Sequence, residues 1–105
     1  MCGRYGSEIS PEQLSLLLDV PPEQTEAIAP RYNIAPTQLA PAARLDSRGV
    51  RELSALRWGL VPSWSRDASR AARLINARSE TVAEKPSSRG AYRARRCLVP
   101  ADGFY

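Results

Sequence analysis

The sequence predicts an α+β fold with a β-rich core, a partial barrel-like sheet carrying one N-terminal helix and short helical turns. Three observations carry that expectation. At 105 residues the chain is long enough for one modest core and short for two. Its nine prolines and six glycines are spread along the chain rather than gathered in a linker. That favours short strands and many turns over long helices. And one stretch, "SPEQLSLLLDV", combines a helix start signal with helical apolar spacing.

In that stretch Ser10 suits an N-cap, Pro11 the first turn and Gln13 the third position of a capping box. Leu14, Leu17 and Leu18 fall on one face, which should lie on a core until Pro21 and Pro22 end the helix. "RYNIAPTQ" reads as a short strand entering a turn at Pro36. "LAPAARL" and "VRELSALRWGL" read as two strands around the turn "DSRG". Leu53 and Ala55 begin an apolar alternation there, but Arg57 stands where the next member belongs, so the second strand's register stays open. "VPSWSRDASRAARL" offers a turn at Pro62-Ser63, then Arg66, Arg70 and Arg73 at helical spacing, a pattern of a solvated face or of DNA contact. "INARSETVAEK" can start a helix with Ser79 as cap and Glu80 in its first turn. "SSRGAYRARR" is polar and basic and reads as a loop or frayed turn. "CLVPADGFY" reads as a buried strand broken by Pro100, with a turn at Asp102-Gly103. The chain stops inside this apolar stretch, so residues 1–105 are expected to be the N-terminal portion of a single, truncated domain.

Composition narrows the chemistry. Histidine is absent, which removes the commonest general base and metal ligand. The two cysteines, Cys2 and Cys97, cannot make a structural zinc site alone, and no cofactor or metal is expected. Nothing resembles a secreted disulfide framework, no apolar run approaches membrane-spanning length, and no signal-peptide core follows the N-terminus. The expected setting is cytoplasmic, with reduced thiols and no membrane partner. The net charge is +4, and every cation but Lys85 is arginine. Arginine's planar fork matches phosphate oxygens. Nucleic acid is therefore a candidate partner, although an arginine-rich composition also follows from a GC-rich genome.

The chain opens "MCGRYG". Cysteine is small enough that methionine aminopeptidases remove a methionine before it. Removal would leave Cys2 with a free α-amine and a thiol on one carbon skeleton. Their ordinary pKa values are about 7.7–8.0 and about 8.5, so each has a reactive fraction near neutrality. The alternative is a small buried hydrophobe at the start of a strand.

Taken in order, "MCGRY", "RYNIAPTQ", "RWGLVPSW", "LINARSET" and "CLVPADGFY" resemble the SOS response-associated peptidase family, known as SRAP. The resemblance runs from the first residue to the last and covers about the first half of a family domain. It implies a sensor of abasic sites in single-stranded DNA. The α-amine of processed Cys2 would condense with the aldehyde of the opened sugar, and the thiol would close a thiazolidine ring on the same carbon. The resemblance also implies that Asn76 orients the amine and the opened sugar, and that Arg4 and Arg78 grip flanking phosphates. Pro36, Trp58 and Trp64 match apolar positions near the DNA surface. Trp64 is the candidate for stacking on a base and Trp58 for the core. A family glutamate and histidine would lie beyond Tyr105. No chemistry is assigned to Cys97, and Asp102 is expected to shape its turn. The implied location is the bacterial cytoplasm, at the nucleoid when bound to DNA. Oligomeric state stays open, with exposed sheet edges available for association.

Three other readings remain beside this one. An N-terminal-nucleophile amidotransferase also begins Met-Cys-Gly, but continues with other motifs, among them a histidine this chain lacks. A non-catalytic module that binds single-stranded DNA would need only cations and exposed aromatics. The family name implies a peptidase or lyase, and removal of Met1 by the chain itself would fit it, but no protease triad is present.

Overall fold

The longest strand pairing among the described residues is a hairpin whose first strand buries Ala40, Ala42 and Ala43. In the computed structural model, which describes residues 2–69 and 71–105, β3 (Leu39–Leu45) and β4 (Arg51–Arg57) pair antiparallel without a break, from Leu39 opposite Arg57 to Leu45 opposite Arg51. The turn sets this register. The Asp46 carboxylate accepts from the backbone N–H groups of Arg48 at 2.8 Å and Val50 at 2.9 Å. Gly49 takes the left-handed conformation (φ 79°) that closes the loop. The doubt over Arg57 resolves at the hairpin's open end, where Arg57 and Leu39 face each other, both exposed.

The other strands form a second antiparallel sheet in the order β2-β1-β5, with β1 at Tyr5–Ser7, β2 at Arg31–Ile34 and β5 at Gly103–Phe104. The fold is α+β, as expected. Its strands divide between two sheets, which close no barrel among the described residues. The Asp102 carboxylate accepts from the Glu8 backbone N–H, which ties the residue before β5 to the residue after β1.

Helix α1 (Pro11–Leu18) begins where the capping residue predicts, with Ser10 Oγ accepting from the Gln13 N–H at 3.2 Å. Leu14 and Leu18 are buried with Val20 and Ala43. Leu17, expected on the same face, is 61% exposed. The i, i+4 pair Leu14 and Leu18 takes the covered strip, and Leu17 falls outside it. Asp19 turns left-handed (φ 54°) to end the helix. Thr25, buried just past a 3₁₀ turn at Pro22–Gln24, donates its hydroxyl to the Pro11 carbonyl at 2.9 Å. Arg51 donates to the Leu18 carbonyl at 3.1 Å, and Gln24 accepts from the Leu53 N–H at 2.7 Å, so the helical corner is docked on the hairpin.

A second core joins Tyr5, Ile34 and Ala40, with Trp58 packed against them. Strand β3 thus feeds both cores, Ala43 into one and Ala40 into the other. Alanine at these positions lets the strand be covered closely on both faces.

Beyond β4 the structure departs from the sequence expectations. The stretch after Ser79 is a run of hydrogen-bonded turns rather than a helix, with Val82 N–H on the Arg78 carbonyl and Lys85 N–H on that of Thr81, both at 2.9 Å. The helix forms later, as α2 (Arg89–Ala94), where a loop was expected. Pro86 explains the break, because it has no N–H to bond back to the Val82 carbonyl, which accepts from the Ser88 hydroxyl instead. Among the described residues of the stretch that carries the arginine trio, a 3₁₀ turn forms at Ala71–Arg73. Arg70, the middle member of that trio, lies outside the described residues, as does Met1. Cys97, Leu98 and Val99, expected in a buried strand, are exposed. They touch β3 through one bridge, Ala43 to Leu98.

Candidate active site

Cys2 lies just ahead of β1 and is half-buried, with its Sγ 3.5 Å from the Arg4 carbonyl oxygen. Asn76 comes from far along the chain and donates from Nδ2 to the Cys2 backbone carbonyl at 2.8 Å. That reach depends on Trp58. Its indole N–H donates to the Ile75 carbonyl at 3.2 Å, and its ring meets Tyr5 edge-on at 5.3 Å between centroids. Two residues further, the Leu60 N–H donates to the Leu74 carbonyl at 2.9 Å. The two bonds hold the 74–76 segment against the end of β4, and the Tyr5 contact ties that end to the strand that follows Cys2.

Gly59, between Trp58 and Leu60, makes this crossing feasible. Its φ is +131°, and a Cβ there would stand 2.8 Å from the Ala71 carbonyl carbon. Only glycine fits both the angle and the gap.

Cys2 and Asn76 open on a cavity of about 440 Å³, walled by Tyr5, Trp58 and Val99 among others. Cys97 lines the same cavity and is exposed instead of being buried in a strand. Burial pushes the Tyr5 phenol above its ordinary pKa, with the Arg31 charge acting against that and the two cysteines acting with it. The phenol therefore stays protonated at neutral pH.

Arg4 is exposed and donates from Nη1 to the Asn33 side-chain oxygen at 3.2 Å. A neutral amide orients a guanidinium without cancelling its charge, so Arg4 remains available to an anion. Asn33 was not singled out from the sequence. It stands beside Ile34 of β2, the partner of Tyr5, so pairing of the strands alone brings it to Arg4.

The remaining expected residues are dispersed. Arg78 lines a separate cleft of about 550 Å³, which shares Asn76 with the cavity at Cys2. Pro36 sits half-buried in the turn after β2, and Trp64 stands 62% exposed in the turn at 62–65. Neither lines the cavity or the cleft. Trp58 is a structural residue whose ring closes one wall of the site.

Comparison with known proteins places this geometry in context. The family described as SOS response associated peptidase (SRAP) matches residues 1–105. Abasic site processing protein YoaM of Bacillus subtilis is 46% identical over 76 residues, spanning 72% of this chain and 33% of its own length. Abasic site processing protein YoqW of the same organism is 40% identical over 109 residues, spanning 100% of this chain and 47% of its own. Abasic site processing protein HMCES of Xenopus tropicalis is 27% identical over 128 residues, with shares of 100% and 38%. A crystal structure of a Bordetella bronchiseptica protein superposes with a TM-score of 0.67 at 24% identity, over 99% of this chain and 50% of that one, and so shares its fold. The chain spans about half the length, or less, of the relatives it matches.

Proposed function

Because this chain belongs to the SOS response-associated peptidase family, we propose that it senses abasic sites in single-stranded DNA and captures them covalently through Cys2. One observation carries the reading: the Asn76 amide holds the Cys2 backbone at 2.8 Å where Cys2 lines an open cavity. The names of its relatives, abasic site processing proteins, supply the substrate class. The proposal treats residues 1–105 as the N-terminal portion of one family domain.

The steps follow from the two nucleophiles of a terminal cysteine. Removal of Met1 frees the α-amine, and self-catalysed removal would account for the peptidase in the family name. The amine adds to the aldehyde carbon of the ring-opened abasic sugar, and loss of one water gives an imine. The thiol then adds to the imine carbon, its proton passes to nitrogen, and a five-membered thiazolidine joins protein to DNA. Ring closure is intramolecular, with effective molarities that reach about 10⁵ M or more in well-oriented systems. An imine that does not close would also permit lyase chemistry on the strand. Asn76 positions the nucleophile, and Arg4, oriented by Asn33, takes a phosphate beside the lesion. Arg78 takes another, and Trp64 and Pro36 offer apolar contacts to bases further out. A DNA-bound protein of this kind would work at the nucleoid, and no described helix is long and apolar enough to cross a membrane.

The test is a denaturing gel of the chain with single-stranded DNA carrying one abasic site, beside the same DNA after borohydride reduction. A band of reduced mobility with the aldehyde alone is the expected result. A band with both, or with neither, contradicts the proposal.

A further inference from the structure

Two hollows meet at Asn76, and they differ in charge. The one at Cys2 carries the thiols. The cleft beyond it is lined by Arg73, Arg78 and Lys85 and by no carboxylate among the described residues. Leu60, Leu74 and Asn76 belong to both, so the ridge that holds Cys2 is also the near wall of the cationic cleft.

Local structure keeps the cations on the walls. Arg73 ends the 3₁₀ turn at Ala71–Arg73, anchored by the bonds from Leu74 N–H to Ala71 and from Leu60 N–H to Leu74. Arg78 and Lys85 bracket the run of turns whose N–H groups at Val82 and Lys85 bond back to Arg78 and Thr81. Ser88, buried, closes that run by donating its hydroxyl to the Val82 carbonyl at 2.8 Å. Arg73 and Lys85 are exposed, and among the described residues neither forms an ion pair. A volume of about 550 Å³ lies within the range of sites that hold small organic ligands, ample for a nucleotide.

We propose that this cleft carries the DNA strand on one side of the abasic nucleotide, with Arg73 and Lys85 binding phosphates beyond the one met by Arg78. This rests on the reading of Cys2 given above. It adds a direction to the bound strand, and it gives recognition that is blind to sequence, since phosphate contacts position a strand without reading its bases. A lesion sensor needs that blindness.

The probe is a labelled single-stranded oligonucleotide with a tetrahydrofuran abasic analogue, which has no aldehyde and so reports binding alone. Fluorescence anisotropy gives the slope of log affinity against log salt. Arg73→Gln and Lys85→Gln should each reduce the slope by about 0.7, the value for one phosphate of a single strand. Arg48→Gln, at the distant hairpin turn, should leave it unchanged. The losses should vanish when the oligonucleotide is trimmed on one side of the analogue and persist when it is trimmed on the other. If Arg78→Gln lowers the slope but either Arg73→Gln or Lys85→Gln does not, the strand does not run through the cleft. An equal effect of Arg48→Gln, or losses indifferent to trimming, would mean general charge attraction and overturn the proposal. If Arg78→Gln also leaves the slope unchanged, the phosphate reading of the whole site fails, and the cleft with it.

Discussion

The Asn76 side chain donates to the Cys2 carbonyl across a sequence separation of 74 residues, and that bond at 2.8 Å joins the N-terminus to the loop after β4. Its purpose is geometric, because Asn76 is exposed and adds little to stability. Asn76→Ala should slow covalent capture by about 10²-fold, the cost of a misplaced reacting group, with the melting temperature nearly unchanged. Asn76→Asp should be no better, since a carboxylate oxygen would face a carbonyl oxygen. Initial rates from denaturing gels check both.

Arg4 and Asn33 should behave as one unit. On the proposed function, Arg4→Ala would remove a phosphate contact, and Asn33→Ala would release the guanidinium that makes it. Each should flatten the salt dependence of binding, and the double variant should lose less than the sum. Additive losses in a double-mutant cycle would show that Asn33 does not act through Arg4.

Gly59→Ala should be severe. The positive φ would cost about 1–3 kcal/mol from backbone strain, and the added methyl would push on the Ala71 carbonyl as well. A lowered urea midpoint should accompany a loss of capture, because Trp58 and Leu60 on either side hold the loop of Asn76.

Tyr5 predicts an alkaline limb. Burial raises its pKa, so as pH rises the unfolded chain loses this proton first. The folded state then binds more protons than the unfolded one, and stability declines with pH. The contribution is whole below the ordinary tyrosine pKa of about 10 and is lost as pH rises through the higher folded value. Tyr5→Phe keeps the ring against Trp58 and lacks the proton. The stability difference between wild type and variant should be constant below that pH and shift against wild type above it. Parallel curves would contradict the assignment.

Much of the fold was legible in the sequence where local chemistry decides structure. Ser10 and Pro11 start a helix by their own groups, and Asp46 and Gly49 make a turn by theirs. Leu17 was misread because helical spacing defines a face without saying how wide the covered strip is. The late helix was misplaced because Pro86 outweighs the cap at Ser79. At the site, Cys2 and Asn76 were marked by motif. Asn33 and Gly59 were not, since their roles exist only once β2 pairs with β1 and the chain crosses Ala71. Cys97 was read as buried from its apolar neighbours, yet one bridge to Ala43 leaves it on the rim of the cavity at Cys2.

The central claim is that Cys2 supplies both bonds to the lesion. Intact mass spectrometry of the product with abasic single-stranded DNA tests it directly, using wild type, Cys2→Ala and Cys97→Ala. The predicted adduct weighs as much as the protein without Met1 plus the oligonucleotide, less one water. It should be present in wild type and Cys97→Ala and absent from Cys2→Ala. An adduct that survives Cys2→Ala, or one that retains Met1, would contradict the account.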